Sequence, residues 1–209
     1  MIKQKKIVVV DYGMGNLWSV VSALDFLGAR PIISASPTEI VKADEILLPG
    51  VGSFRLAMRA LIEKNLDEAI KEQVQIKQRK ILGICLGFQM LAESSTEDGM
   101  TSGLGFIPAP VESFSVQELE GRKLPHIGFN EVKLPNSSSL FDGFKAAADF
   151  YFVHSYRLSP QVLPGEKAAC NYGAKFLAAY EHENVFGAQF HPEKSQTNGL
   201  RLLANFLRA

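Results

Sequence analysis

The sequence predicts an α/β fold: a mostly parallel open sheet flanked by helices, with an antiparallel extension toward the C-terminus. Three observations carry that expectation. In the first half, apolar runs too short for helices alternate with stretches of helical periodicity. Those runs are apolar throughout, as in strands covered on both faces. In the second half, β-type segments follow one another without intervening helices.

The first strand is residues 6–10, which lead into Asp11-Tyr-Gly-Met-Gly15. Leu17, Val20, Val21, Leu24 and Leu27 then recur at helical spacing until Gly28 stops the pattern. Pro31-Ile-Ile-Ser34 reads as a second strand. Ser36 is placed to cap a short helix, with Pro37 at its first position and Glu39 three residues after the cap. Residues 46–48 form a third strand ending at Pro49-Gly-Val-Gly52, and helical stretches follow over residues 53–64 and 66–79. Residues 80–84 make a buried strand, then come Cys85 and a helix through Gln89 to Ala92. Residues 96–110 read as loop, with three glycines and two prolines. Strands are expected over residues 127–134, 150–158, 176–181 and 185–190, the last two joined by a hairpin loop, Glu181-His-Glu-Asn184. A helix over residues 197–207 closes the chain. With no repeat, low-complexity tract or composition shift, residues 1–209 are expected to form a single domain.

Composition narrows the function classes. Lys+Arg and Asp+Glu are 22 each, and this zero net charge argues against nucleic-acid or membrane-surface binding, which favour a basic excess. Two cysteines, Cys85 and Cys170, make no disulfide framework. The first six residues, Met1-Ile-Lys-Gln-Lys-Lys6, lead straight into a short apolar run with no signal-peptide core, and no run is long enough to span a membrane. The cytoplasm is the expected compartment, where a functional cysteine is catalytic more often than cross-linked.

Gly83-Ile-Cys85-Leu-Gly87 has the form of a nucleophile elbow between a strand and a helix. A sharp turn brings neighbouring backbone against these positions, so side chains at 83 and 87 would obstruct it. The helix N-terminus favours a thiolate. A buried structural cysteine is the alternative, and Cys170, which lacks such a context, stays with it. A thiolate needs a base. His182 lies in the polar hairpin, His126 precedes a strand, and His154 sits in Tyr151-Phe-Val-His-Ser-Tyr156. His191, in Gln189-Phe-His-Pro-Glu-Lys194, is the sharpest candidate. Glu193, two residues on in an extended segment, faces the same side and orients its ring. A surface His–Glu pair is the other reading of that motif. Backbone N–H groups of Leu86 and of the Gly50-Val51-Gly52 loop are candidate oxyanion donors, and Gln89 reaches the same pocket from one helical turn beyond Cys85. No cofactor or metal is expected. Gly13-Met-Gly15 lacks the third glycine of a dinucleotide fingerprint, which would fall at Trp18, no phosphate-binding loop occurs, and the Cys and His spacing fits no metal site.

Gly83-Ile-Cys-Leu-Gly-Phe-Gln89, Pro49-Gly-Val-Gly52 and Phe190-His-Pro-Glu193, in this order, resemble the triad-type glutamine amidotransferases. Asp11-Tyr-Gly-Met-Gly-Asn16, Pro125-His-Ile-Gly-Phe-Asn130 and Tyr151-Phe-Val-His-Ser-Tyr156 narrow the likeness to the glutaminase subunits serving histidine biosynthesis, across essentially the whole chain. The resemblance implies a flavodoxin-like sheet and hydrolysis of L-glutamine through a thioester on Cys85. By it, His191 is base and then acid, Glu193 orients His191, and the amides of Val51 and Leu86 hold the oxyanion. Gly52, Gln89, His154, Ser155 and Tyr156 contact the glutamine. It also implies a heterodimeric partner, a (β/α)8 barrel cyclase that receives ammonia internally.

Phe129 departs from the pattern, standing where the family commonly has Trp near the partner-facing mouth. That departure motivates a second expectation: a paralogous synthase, such as one amidating a sugar, consumes the ammonia. A stand-alone cysteine hydrolase, of peptidase or gamma-glutamyl hydrolase type, and a non-catalytic binding subunit are the other classes. The set of Cys85, His191 and Glu193 argues against the last.

Overall fold

The computed structural model describes residues 5–159 and 162–209, so the first four residues of the N-terminal reading lie outside it. The first half runs β1 (Ile7–Val10), α1 (Leu17–Phe26), β2 (Ile32–Ser34), α2 (Pro37–Ile40), β3 (Glu45–Gly50), α3 (Phe54–Glu63), α4 (Leu66–Lys71), a π-helical turn (Glu72–Ile76), β4 (Lys80–Cys85) and α5 (Leu86–Met90). There follow β5 (Ala92–Ser95), β6 (Thr101–Ser102), β7 (Ile107–Ser113), α6 (Val116–Leu119), β8 (His126–Lys133), β9 (Ala147–His154) and β10 (Tyr156–Leu158). The chain ends with β11 (Glu166–Tyr172), β12 (Ala174–His182), β13 (Val185–Ala188), a 3-10 turn (Pro192–Lys194) and α7 (Gln196–Arg208).

One nine-stranded sheet has the order β2-β1-β3-β4-β13-β12-β11-β8-β9. Pairing is parallel from β2 to β13 and antiparallel from there to β9. The expected antiparallel extension is therefore a continuation of the parallel sheet. Alternation explains the unbroken apolar runs. In β1, Val8 and Val10 join the core under α3 and α4, while Ile7 and Val9 join the core under α1 and α7. Each face buries its residues at roughly 1.5–3 kcal/mol per large aliphatic side chain. Val20, Val21 and Leu24 of α1 are buried as their spacing predicts, and Gly28, at φ +81°, ends the helix by donating its N–H to Asp25 O at 2.9 Å.

Several expectations are corrected. The helix after Cys85 stops at Met90, because Met90 O and Leu91 O accept from Leu104 N and Phe106 N and draw Ala92 into β5. Residues 96–110 are not all loop. They contain β6 and most of β7, where Pro108 and Pro110 face outward and Ala109 and Val111 inward. β7 anchors a second, four-stranded sheet of order β10-β7-β5-β6, so the expected strand 150–158 is split between two sheets. The stretch 66–79 leaves α-helical geometry after Lys71, and Asn184 Nδ2 ties off its end on Val74 O and Arg79 O at 2.8 and 2.9 Å. Ser36 makes no capping box: its hydroxyl pairs with Thr38, and Glu39 turns to Lys6 at 2.6 Å. The β12–β13 loop is only Glu183-Asn184, since His182 and Val185 pair across it.

Candidate active site

Cys85 closes β4 at φ 54° and ψ −109°, a backbone conformation that costs a non-glycine residue about 1–3 kcal/mol. Surrounding contacts impose it. A Cβ at Gly83 would lie 2.7 Å from Phe88 Cα, and one at Gly87 would fall inside the Leu48 carbonyl group. Glycine alone lets the first turn of α5 lie directly on the ends of β3 and β4. In the same register Gly50 of β3 is opposite Cys85, which sets the Val51-Gly52 turn beside the sulfur. Tyr12 pins that strand end: its hydroxyl donates to Pro49 O at 3.0 Å and occupies the space a Gly50 side chain would need.

His191 follows β13, the strand that pairs with β4 in parallel, so both chain segments reach the same end of the sheet. Its N–H donates to Tyr151 O at 2.9 Å. Ser195 locks the segment: its hydroxyl donates to His191 O at 2.6 Å and accepts from Tyr151 N at 3.0 Å. His191 Nδ1 stands 2.8 Å from Glu193 Oε1, leaving Nε2 for Cys85. Burial pushes the His191 pKa down, but hydrogen bonds to Cys85 and Glu193 outweigh it and raise it to about 10. The environment thus stabilises an imidazolium between a carboxylate and a sulfur.

A cavity of about 280 Å³ opens at this point. Nine of the ten sequence-expected residues line it: Cys85, His191, Val51, Leu86, Gly52, Gln89, His154, Ser155 and Tyr156. The tenth, Glu193, stands behind His191. His182 does not line the cavity, and Cys170, buried on β11, has its pKa pushed up by burial to about 12.

Of three further groups, one lines the site and two stand behind its lining residues. Glu97 lines the cavity and accepts from Phe54 N at 2.8 Å, with burial raising its pKa. It lies in the stretch read as loop, where polar residues carry no periodic signal. Gln189, fully buried, accepts from Gln89 Nε2 at 3.0 Å and directs its own Nε2 to Cys85 Sγ at 4.0 Å. It sits in the motif that gave His191, and its amide was the available signal. His126, expected only to precede a strand, is buried in β8 against His154. Among the described residues, no three His, Cys, Asp or Glu side chains gather to hold a metal ion, and no helix is long and apolar enough to cross a membrane.

Residues 8–209 match the glutamine amidotransferase class-I family. A Campylobacter jejuni protein named imidazole glycerol phosphate synthase subunit HisH 1 is 45% identical over 97% of this chain and 99% of its own. The Methanosarcina acetivorans protein named imidazole glycerol phosphate synthase subunit HisH is 44% identical over 97% of this chain and 98% of its own. Among solved structures, PurLQS from Thermotoga maritima has a chain that superposes with a TM-score of 0.74 at 18% identity, covering 98% of both chains, a likeness of fold alone. The chain belongs to the class-I glutamine amidotransferase family.

Proposed function

We propose that this class-I glutamine amidotransferase is the glutaminase subunit of an imidazole glycerol phosphate synthase, hydrolysing L-glutamine to glutamate and ammonia on Cys85 and delivering the ammonia to a HisF-type (β/α)8 cyclase. One observation carries the chemistry: a strained cysteine at the end of a parallel strand shares a cavity with His191, whose partner Glu193, behind it, favours a charged imidazole. The near-complete coverage of relatives named as that synthase subunit supports the assignment to histidine biosynthesis. The unbroken sheet from β2 to β9 supports residues 1–209 acting as one amidotransferase domain.

In this reading, His191 Nε2 takes the Cys85 proton and the sulfur attacks the side-chain carboxamide carbon of glutamine. The carbonyl electron pair moves onto oxygen, where the amides of Val51 and Leu86 receive it. His191 then protonates the nitrogen, the C–N bond breaks, and ammonia leaves a thioester. Water, deprotonated by His191, attacks the thioester. The sulfur departs as thiolate and recovers its proton, and glutamate is released. Glu193 holds the imidazole tautomer throughout. Glu97 is suited to the α-ammonium of the substrate, and Gln89, Ser155 and Tyr156 to its remaining polar groups. Protonation in bulk water would remove the nucleophilicity of ammonia, which is why internal transfer to a barrel partner fits this chemistry.

The test is glutamine turnover by the protein mixed with a HisF-type cyclase. Strong stimulation is expected, with loss of turnover in Cys85→Ala; a Cys85→Ala complex that still releases ammonia overturns the nucleophile assignment. Phe129, half exposed on β8 beside Tyr151, favours one second reading, a paralogous sugar-amidating synthase as partner. Lack of stimulation by the cyclase, with Cys85 still labelled by glutamine analogues, would select it.

A further inference from the structure

The proposed reaction uses one imidazole and leaves a buried pair unexplained. His126 and His154 face each other in register on β8 and β9, with His126 Nδ1 3.0 Å from His154 Nε2. His126 is sandwiched between Phe152 and Tyr172, whose ring centroids lie 4.7 and 4.0 Å away. His154 Nδ1 is 2.8 Å from Tyr156 O. A carbonyl only accepts, so His154 Nδ1 carries the hydrogen. Burial holds both rings neutral, the pKa values pushed down to about 4 for His126 and about 3 for His154. A neutral ring has one N–H, so His154 Nε2 accepts and His126 Nδ1 donates. His126 Nε2 is then an acceptor, 3.5 Å from Asn130 Nδ2. The order continues at the far end: Tyr156 O also accepts from Gln89 Nε2 at 2.8 Å, and the second hydrogen on that nitrogen goes to Gln189 Oε1 at 3.0 Å. Each of these hydrogens has a single place.

We propose that the His126–His154 pair is a positioning device for the substrate pocket, fixing the Tyr156 carbonyl and through it the Gln89 amide on the cavity wall. His154 acts through this carbonyl and not as a ligand, because both of its ring nitrogens are engaged inside the protein. The inference deepens the glutaminase reading and rests on it.

Nitrogen-15 NMR of histidine-labelled wild-type protein at pH 7 tests the proton order directly. Both rings are expected as Nδ1–H tautomers; an Nε2–H tautomer or a charged ring at either position overturns the proposal. His126→Phe keeps the stacking and removes the donor. Its glutamine affinity, read as protection of Cys85 from iodoacetamide, is expected to fall about tenfold, with a matching rise in KM and kcat within about twofold in the cyclase complex. His126→Asn restores an N–H near Nδ1 and is expected to recover KM to within about threefold of wild type. An unchanged KM in folded His126→Phe, or a loss confined to kcat, overturns the proposal. If His126→Phe does not fold, the wild-type tautomers and His126→Asn decide. Failure of the glutaminase reading is separate, because residual activity in Cys85→Ala leaves the tautomers untouched.

Discussion

Two single-residue features make the site, one steric and one electrostatic. The steric one is the glycine frame of the elbow. A methyl group at residue 87 would meet the Leu48 carbonyl, which belongs to β3 and has no room to retreat. Gly87→Ala is therefore expected to destabilise the protein by about 3 kcal/mol or more, read as a lowered denaturation midpoint. The electrostatic feature is the ordering of roles around His191. Removing the base should cost more than removing its orienting carboxylate: about 10⁶-fold in kcat for His191→Ala and roughly ten- to a hundredfold less damage for Glu193→Ala. Equal losses in steady-state glutamine hydrolysis would show that the carboxylate does more than orient.

Single elements are held by polar ties that the hydrophobic pattern does not reveal. Lys80, at the start of β4, donates to Phe206 O and Ala209 O at 2.8 and 2.9 Å and pairs with the buried Glu45 of β3 at 2.9 Å. Lys5 also reaches Glu45, at 2.7 Å. Lys80→Met removes the inner partner of a buried carboxylate and frees the end of α7. A loss of about 2–3 kcal/mol in urea denaturation is expected, less than for a pair left wholly unmatched because Lys5 remains. The Glu45→Met/Lys80→Met double variant should regain most of it, since burying neither charge is cheaper than burying one. The same distinction governs what could be read from the sequence. Strands β1, β3 and β4 and helix α1 were legible because burial on one or both faces writes period into composition. Strand β11 was not, because its inward residues, Ala168 and Cys170, are small and weakly strand-forming. Helix α6 was missed although Ser115 and Glu118 form a complete capping box, a local signal overshadowed by the helix's short, unburied length. Cys85, His191 and Glu193 were legible from local motif chemistry, whereas Glu97 and Gln189 gain meaning only from neighbours distant in sequence.

For the whole molecule, the continuous sheet brings together imidazoles with opposite titration behaviour, and this sets the pH range of stability. In the unfolded chain all three rings titrate near the ordinary value of 6.5. Folded His126 and His154 stay neutral down to about pH 4 and 3, since burial disfavours their charged forms. Below pH 6.5 the unfolded chain gains protons that the native protein cannot hold. Their contribution is therefore complete above about pH 6.5 and is lost as the pH falls toward 4 and then 3. His191 behaves oppositely. Burial disfavours its charge, but Cys85 and Glu193 raise its native pKa to about 10, so its contribution is complete below 6.5 and lost as the pH rises toward 10. Between pH 7 and pH 5, each buried neutral ring is expected to remove about 2 kcal/mol of stability. Urea denaturation at those two pH values should show a loss about 2 kcal/mol smaller in His126→Phe than in wild type. An identical loss in both proteins would mean that His126 takes up its proton while folded, and that the wall of the cavity is wetter and looser than its packing between Phe152 and Tyr172 requires.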